Sequence, residues 1–452
     1  MWQKILTLEI LLLFNIVGYS QTTWSRVYTL NAPSRGIAVK ELNGGHFVIG
    51  IEYTSISSLP YRMLLLKIDS LGDSLVSKAL CGSVTGDIEV GQNKNEVVII
   101  GTASSCIPNI QSDIVYYRLD TMFNVLDTAL FGNAGIDKGK RIINDYDSGY
   151  VMACYNTSYP DLIHIDHQGN QIWSMNYGLS GLNSIERNLE GGYFICGNAG
   201  GGFVDPMYVA KTDSMGNVIW HKTFYTNGLE EFRDVAQTLD SGIISLADNS
   251  TLYKISSSGD SIWKKQVYPG NQRILITSGN EIVLTGEGIS GMSLVKIDTS
   301  ANIIWSRYYP YFANPSPSNY SAGYDVIETS DGGFLLVGEI DSLGTKNLYI
   351  VKTDSLGQVT TGLSEINSST QTRCYPQPFT EETIITFAAA DGRPITGNRI
   401  LEVFTGLGQK VREETISAFP YHFHRNRLPS GLYVYTITHP GEIPVTGKMV
   451  VE

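Results

Sequence analysis

The stretch KTDSMGNVIW, residues 211–220, decides the fold because close copies of it recur along the chain. Self-similarity at a period of this kind predicts a repeat architecture. A short apolar run rich in β-branched and aromatic residues precedes each copy, such as GGYFICG at 191–197, and runs of this length are typical of strands. The seven copies are 42 to 56 residues apart and begin at Lys67, Arg118, His164, Lys211, Lys254, Lys296 and Lys352.

Each repeat is predicted to hold four antiparallel strands, and seven such units predict a seven-bladed β-propeller over residues 21–362. The seventh repeat lacks its fourth strand after Gln358, whereas WSRVY at 24–28 stands alone and matches WSMNY at 173–177. We therefore predict that residues 24–28 pair with Leu348–Thr353, or with the strand that follows, and close the ring. Closure would remove the exposed strand edges at its two ends.

Two positions of the motif have a physical role. The Asp, such as Asp213, can accept backbone N–H groups of a tight turn, and Gly216 supplies a positive φ. A Trp that recurs once per unit is predicted to pack between adjacent units, with about 150–250 Å² buried. A sugar-binding aromatic is the alternative. The tryptophans concerned are Trp24, Trp173, Trp220, Trp263 and Trp305.

The repeats, with their DGGF..VG and K.D..GN..W patterns, resemble those of propellers in secreted proteins of the Bacteroidetes. They carry neither a WD40 nor a kelch pattern. The resemblance covers about residues 22–362 and implies the fold, without implying any chemistry.

The first 20 residues have the pattern of a secretory signal peptide. Lys4 precedes an apolar run from Ile5 to Val17, and small residues precede a predicted cleavage after Ser20. The run is too short to span a bilayer, and we predict no transmembrane span in the mature chain. The formal net charge of −12 argues against a nucleic-acid partner.

After a polar linker at 363–371, residues 372–452 contain short alternating strands that predict a small, Ig-like β-sandwich. This segment resembles the type A C-terminal sorting domain of the type IX secretion system, with Gln377 where that family usually has Asn. The resemblance implies export through the periplasm to the medium or the outer-membrane surface, with the secretion machinery as a partner. The matching residues are Tyr375, Pro376, Pro378, Gly406, Gln409, Val411, Leu428, Gly431, Tyr433, Gly447 and Lys448.

No catalytic, cofactor-binding or metal-binding residue is predicted, and no cofactor. The close pairs His164 with His167 and His422 with His424 are interpreted as surface histidines, since a zinc site needs further ligands. Cys81 and Cys106 could form a disulfide in an oxidising compartment. Cys154 and Cys196 lie in apolar strand patterns and are predicted to be buried free thiols.

The favoured function is a ligand-binding or adhesion scaffold for an unknown extracellular glycan or protein. The alternative is a carbohydrate-active enzyme, a glycoside hydrolase or lyase, whose carboxylates come from different blades and meet in the central funnel. Acidic residues gathered at one mouth of the channel would favour the enzyme. A broad exposed aromatic or polar face without a cleft would favour binding.

Overall fold

The computed structural model describes residues 21–30, 32–53, 62–82, 84–103, 113–132, 135, 137–155, 161–200, 206–225, 230–267, 272–288, 291–309, 320–342, 345–359, 370–375, 378–389, 398–405, 409–438 and 445–452. The signal segment, Pro376, Gly406 and Cys106 lie outside these residues. The chain divides into two compact units, Met1–Thr360 and Thr361–Glu452. Within the described residues all regular structure is β-strand, so no helix there is able to cross a membrane.

The first unit is built from four-stranded antiparallel sheets, which follow the repeats of the sequence. Strand β1 (Trp24–Tyr28) is considered with the last sheet. Sheet I contains β2 (Ser34–Glu41), β3 (Phe47–Tyr53), β4 (Arg62–Ile68) and β5 (Ser74–Leu80). Sheet II contains β6 (Val84–Val90), β7 (Glu96–Thr102), β8 (Ile114–Asp120) and β9 (Val125–Phe131). Sheet III contains β10 (Lys138–Asn144), β11 (Tyr150–Tyr155), β12 (Leu162–Ile165) and β13 (Gln171–Met175).

The remaining sheets of this unit have the same strand order, and one bridge between Glu287 and Ala322 joins the last two into a continuous eight-stranded sheet. Sheet IV contains β14 (Gly181–Arg187), β15 (Tyr193–Asn198), β16 (Met207–Thr212) and β17 (Val218–Phe224). Sheet V contains β18 (Phe232–Gln237), β19 (Ile243–Ala247), β20 (Thr251–Ile255) and β21 (Ser261–Gln266). Sheet VI contains β22 (Arg273–Ile276), β23 (Ile282–Gly288), β24 (Gly291–Ile297) and β25 (Ile303–Tyr309). Sheet VII contains β26 (Ser321–Glu328), β27 (Phe334–Ser342), β28 (Thr345–Thr353) and, as its outer strand, β1.

Neighbouring sheets share apolar cores, which is the packing of a β-propeller. Ile163 of sheet III packs with Val98 of sheet II in one cluster, and Ile185 of sheet IV packs with Val151 of sheet III in the next. Sheets VII and I share a cluster in the same way, with Leu335 beside Val39. The apolar faces of these sheets are therefore buried against one another.

The predicted pairing of residues 24–28 is confirmed. Strand β1 pairs antiparallel with β28, with Trp24 opposite Lys352 and Tyr28 opposite Leu348. The first described strand of the chain thus completes the last sheet.

The turn chemistry predicted from the motif is also confirmed. Asp213 Oδ1 accepts the backbone N–H groups of Met215 and Asn217 at 2.9 and 2.8 Å. Gly216 has a φ of 81°, and a Cβ there would lie 3.0 Å from the ring of Trp173 in the preceding sheet. The glycine is therefore needed twice, for the turn and for the approach of the tryptophan.

The tryptophans lie at the junctions between sheets, each half-buried against the motif turn of the next one. Trp220 donates its Nε1–H to Ser257 O at 2.9 Å, and Trp24 donates to Ser70 O at 2.9 Å. At the junction between sheets I and II the large and the small residue exchange places. Val76 stands in place of the tryptophan, and Phe123, whose φ is 64°, stands in place of the turn glycine. Both residues belong to one apolar cluster, so the junction keeps its packing.

The second unit consists of two antiparallel sheets. The first contains β29 (Thr370–Tyr375), β30 (Glu382–Ala389) and β33 (Tyr421–His424); the second contains β32 (Lys410–Ile416), β31 (Arg399–Thr405), β34 (Gly431–Thr438) and β35 (Val445–Val451). Ile385 and Phe423 of one sheet share a core cluster with Leu401 and Tyr435 of the other. Strand β29 begins at Thr370, inside the segment predicted as a linker.

Several matched residues of the tail have structural roles. Leu428 and Tyr433 are buried, and the Tyr433 hydroxyl donates to Pro429 O at 2.8 Å. A Cβ at Gly447 would lie 2.3 Å from the Tyr435 ring, so only glycine fits there. The Gln409 N–H donates to Thr405 Oγ1 at 3.2 Å. Tyr375 ends β29, Gly431 begins β34, and Pro378, Val411 and Lys448 are exposed.

Candidate functional site

The innermost strand of each sheet surrounds a common axis in the first unit. Strands β2, β6, β10, β14, β18, β22 and β26 each contact the innermost strands of both neighbouring sheets. Most of them carry a β-bulge near the middle, for example between Gly139 and Arg141 in β10. Bulges re-aim side chains and are frequent next to functional sites. The side chains that follow the bulges make the axial channel the candidate site.

Arg273, the first residue of β22, crosses the channel at the level of the bulges. Its Nε lies 2.8 Å from Asp325 Oδ1 of sheet VII. Its two terminal nitrogens lie 3.8 Å from Asp87 of sheet II and 3.8 Å from Asp234 of sheet V. One buried guanidinium therefore connects carboxylates from three other sheets.

The same carboxylates also bind the backbone of the next sheet. Asp325 Oδ2 accepts the Val39 N–H at 2.8 Å, and Asp234 Oδ2 accepts the Ile274 N–H at 2.8 Å. Asp87 Oδ2 accepts the Ile142 N–H at 3.2 Å. These contacts join neighbouring inner strands, so the three aspartates have a structural task in addition to any functional one.

The electrostatics of the network follow the distances. Burial raises the pKa of Asp325, but the charges of Arg273, Arg141 and Lys40 and the Val39 N–H together outweigh it, and the net pKa is below the ordinary value. Burial raises the pKa of Asp87, and Arg141 and the more distant Arg273 offset this only partly. The charge of Arg273 is held by Asp325, Asp234 and Asp87, which raise its pKa against the effect of burial.

A cavity of about 190 Å³ adjoins Arg273 within the channel. Lys40, Arg141 and Glu186 line it together with Arg273 and Asp325. Burial raises the pKa of Glu186 to about 7, even though Arg141 and Lys40 lower it. The cavity thus contains one carboxyl that titrates near neutrality and one, Asp325, that stays ionised.

The described residues at the N-terminal ends of the inner strands form the mouth of the channel. Arg35 Nη2 lies 2.8 Å from Glu52 Oε2, and its guanidinium lies 5.3 Å from the centre of the Tyr324 ring. Lys346 and the Tyr324 hydroxyl both bind Glu339 Oε1, at 2.7 and 3.1 Å. This side of the mouth is therefore a connected, charge-balanced network.

Like Lys138 of the same strand, Lys140, the bulge residue of β10, lies outside this network. It is exposed, and its ammonium lies 5.7 Å from the centre of the Tyr155 ring. Within the described part of the chain it forms no ion pair, although the Glu231 carboxylate is near enough to act on its charge. An ammonium of this kind is available to an anionic or hydroxyl-rich ligand.

Acidic residues gathered in the channel were predicted to favour an enzyme, and an exposed face without a cleft was predicted to favour a binding module. Acidic residues do gather there, but Asp87, Asp234 and Asp325 are engaged by Arg273 and by backbone N–H groups. Glu186 has no direct hydrogen-bond or ion-pair partner among the described residues, and it is the acid that could act on a ligand. The cavity is smaller than the roughly 300–1,000 Å³ of ordinary ligand pockets, which favours binding of a small group over processing of a glycan.

Sequence reasoning did not identify Arg273, Glu186 or Lys140. The available signal was the presence of charged residues inside short β-patterned runs, as in KGKRIIN at 138–144 and GLNSIER at 181–187. A half-buried β-strand does not require charged residues at these positions, so their presence is the signal.

None of the described cysteines and histidines lines the cavity beside Arg273. Cys81 is disulfide-bonded, and Cys154 and Cys196 are buried free thiols, as predicted. His167, His422 and His424 are substantially exposed. The interpretation of His164 as a surface residue is wrong, since only 4% of it is exposed. It takes the place of the motif lysine on the inward-packed strand β12.

No protein-family model and no curated protein matches the chain. Among solved structures it is similar to a protein of unknown function from Bacteroides caccae, at 12% identity and a TM-score of 0.42, over 58% of this chain and 91% of that one. It is similar to the surface component PorZ of Porphyromonas gingivalis, at 11% identity and a TM-score of 0.46, over 92% of this chain but only 59% of PorZ. The Dos1 propeller matches at 10% identity and a TM-score of 0.48, over 73% of this chain and 94% of its own. None of these three reaches a TM-score of 0.5, and the propeller assignment rests on the sheets themselves.

Proposed function

We propose that the protein is a secreted or surface-displayed binding module, built on a closed seven-bladed β-propeller. Two observations support the closed ring. The innermost strands contact one another in an unbroken circle from β2 to β26 and back to β2. The outer strand of sheet VII comes from residues 24–28, so the two ends of the repeat array meet.

The two faces of such a ring differ. On one face every sheet ends in a tight turn such as 213–217, which an Asp caps in most sheets and Ser256 caps in sheet V. On the other face the connections are unequal, from 248–250 to 103–113 and 310–320. Binding residues are commonly carried by variable loops on a rigid scaffold, which favours the second face.

The main support for this proposal is the position of Lys140. It lies at the channel mouth on the variable face, exposed and without an ion pair among the described residues. Arg35 and Tyr324 lie at the same mouth and could add hydrogen bonds and ring contacts. The chemistry suits an acidic or hydroxyl-rich extracellular ligand, either a glycan or an acidic protein segment.

A glycan and host-matrix binding array tests this proposal. We expect the wild-type protein to bind at least one acidic ligand, and Lys140→Glu to weaken that binding by tenfold or more. Lys78→Glu makes the same charge change on the exposed outer strand β5 and should leave binding intact. Equal loss in both variants, or none in either, would remove Lys140 from the site.

A carbohydrate-active enzyme remains the second candidate, because Glu186 and Asp325 differ in protonation within one cavity. A protonated acid beside an ionised carboxylate is the usual pair of glycoside hydrolysis. Hydrolysis assays on the polysaccharides of the array decide between the two functions. Turnover that Glu186→Gln abolishes would favour the enzyme, whereas binding without turnover favours the scaffold.

For export we propose a signal peptide at 1–20 and a sorting domain at 372–452, joined to the propeller by residues 363–371. The two-sheet core of the second unit and the packing need for Gly447 are compatible with that domain. Because β29 begins at Thr370, the deletion to test is 370–452. In a host with the type IX machinery the truncated protein should stay in the periplasm. Normal amounts in the medium would show that the tail is not the sorting signal.

We also propose that Cys106 is the partner of Cys81. Cys81 is disulfide-bonded, and both residues lie near predicted loops of a chain proposed to reach an oxidising compartment. A non-reducing peptide map should recover the linked pair, and its absence would reject the pairing.

A further inference from the structure

The turns between the first two strands of several sheets have a common ion pair. In sheet V, Lys254 Nζ lies 2.7 Å from Asp240 Oδ1 and also contacts Thr238. In sheet VII, Lys352 Nζ lies 2.9 Å from Asp331. Burial raises the pKa of Asp240, but the hydrogen bonds from Lys254 and Thr238 lower it below its ordinary value. Each turn thus holds one carboxylate and one ammonium, whose charges cancel.

The corresponding turn of sheet III has a different composition. It keeps the acid as Asp147, but it has Asp145 at the threonine position and His164 at the lysine position. Asp145 and His164 are only 5% and 4% exposed. Within the described residues neither carboxylate pairs with a Lys or Arg. Two negative charges therefore lie beside one imidazole, in a place where the other sheets carry a cation.

The three side chains are close enough to share one metal ion, since their ligand atoms all lie within 4.8 Å of one another. His164 Nε2 lies 3.1 Å from Asp145 Oδ2 and 3.4 Å from Asp147 Oδ1. Neither imidazole nitrogen has a hydrogen-bond partner among the described residues. Bonds of about 2.0–2.2 Å to a tetrahedral metal place neighbouring ligand atoms about 3.3–3.5 Å apart. The observed separations are close to this spacing.

Surrounding groups hold the three side chains in place. The Tyr193 hydroxyl donates to Asp145 Oδ1 at 2.8 Å, and the Gly149 N–H donates to Asp147 Oδ1 at 2.9 Å. The Trp173 ring packs against His164, with 5.1 Å between centroids. Outer hydrogen bonds of this kind orient metal-binding carboxylates.

We propose that Asp145, Asp147 and His164 bind one divalent transition-metal ion. Imidazole with two carboxylates suits Zn²⁺ better than Ca²⁺ or Mg²⁺, which prefer oxygen ligands alone. A dication neutralises the two carboxylates beside a neutral imidazole. Asp147, with 54% of its side chain exposed, leaves a route for the ion and a position for water. The ion would replace the ammonium that ties this turn to its neighbouring strand in the other sheets.

The test uses the untagged full chain after treatment with a chelator. We expect it to take up one Zn²⁺ per chain, measured by elemental mass spectrometry, and to gain melting temperature reversibly. The variant Asp145→Thr with His164→Lys recreates the sheet V arrangement, so it should fold and bind no zinc. The converse variant, Thr238→Asp with Lys254→His, should gain a second equivalent.

A control addresses the exposed histidines of the tail. His424 Nδ1 lies 3.3 Å from Glu382, and His424→Ala should leave the zinc content unchanged. No uptake by the wild-type chain would overturn the proposal, as would uptake that the Asp145→Thr, His164→Lys variant retains. Stabilisation by Ca²⁺ equal to that by Zn²⁺ would overturn the assignment to a transition metal.

Discussion

The motif turns and the inner strands of the propeller follow opposite rules. At the turns, most sheets repeat the same solution: an Asp caps the backbone, a small residue makes room, and the aromatic of the preceding sheet fills it, as Trp173 does over Gly216. At the axis, each sheet contributes a different side chain, such as Lys40, Arg141 or Glu186. The repeated positions assemble the ring, and the unrepeated ones give the channel its chemistry.

The contrast between repeated and unrepeated positions indicates where functional residues lie in a repeat protein. A position that every repeat shares is explained by packing between repeats. A position at which one repeat departs from the others needs its own explanation, as at Lys140, Glu186 and the Asp145–His164 turn.

Deletion of residues 21–29 should have the largest effect, because it removes a whole strand from sheet VII. It exposes the edge of β28 and the surface of sheet I on which Trp24 packs. We expect a large fall in melting temperature and aggregation in size-exclusion chromatography. Gln21→Ala, which removes only the side-chain bonds to Asp331 O at 2.8 Å and from the Ser355 N–H at 3.1 Å, is the control. A truncated chain that stays monomeric at an unchanged melting temperature would contradict closure.

Arg273→Met should cost about 3–5 kcal/mol of unfolding free energy, the scale for leaving buried carboxylates without their partner. The residue is 12% exposed and faces Asp87, Asp234 and Asp325. Arg26→Met removes an exposed pair with Asp73 and should cost about 1 kcal/mol or less. Chemical denaturation measures both. Similar costs for the two would mean that the channel network is not a central support.

Trp220→Ala should cost about 2–3 kcal/mol, less than the roughly 3–5 kcal/mol for a fully buried large aromatic. Trp220 is half-buried, over Gly259 and with its Nε1–H on Ser257 O. Thermal unfolding gives the change in stability, and the glycan array gives the change in binding. Unchanged stability with lost sugar binding would make this tryptophan a ligand contact.

Glu186→Gln should have the smallest effect, and only at higher pH. Burial raises the pKa of Glu186 from 4.5 to about 7, so the folded chain binds this proton more tightly than the unfolded chain. Its ionisation therefore destabilises the fold as pH rises from about 4.5 to 7. The variant should be more stable than the wild type by about 1–3 kcal/mol above pH 7. The difference should vanish near pH 4.5, and a constant difference across this range would reject the assignment.

Much of the propeller could be predicted from the sequence, because its determinants are local and repeated. The capping Asp, the turn Gly and the pairing of residues 24–28 all follow from aligned copies of one motif. The channel could not be predicted, since Arg273 and Asp87 are far apart in the chain and meet only when the ring closes. His164 was misplaced because its neighbour His167 suggested a surface pair. Its correct environment is indicated by the lysines that other repeats carry at that position.

Ring closure through the first strand is the central claim, and an engineered disulfide tests it most directly. Ser25 lies opposite Val351 in the β1–β28 pairing, so Ser25→Cys with Val351→Cys should cross-link under mild oxidation. Ser25→Cys with Ile350→Cys, one position away on the opposite face of the strand, should not. A non-reducing peptide map that recovers the linked peptides only from the first variant is the predicted result. Absence of that link, or equal linkage in both variants, would contradict the account.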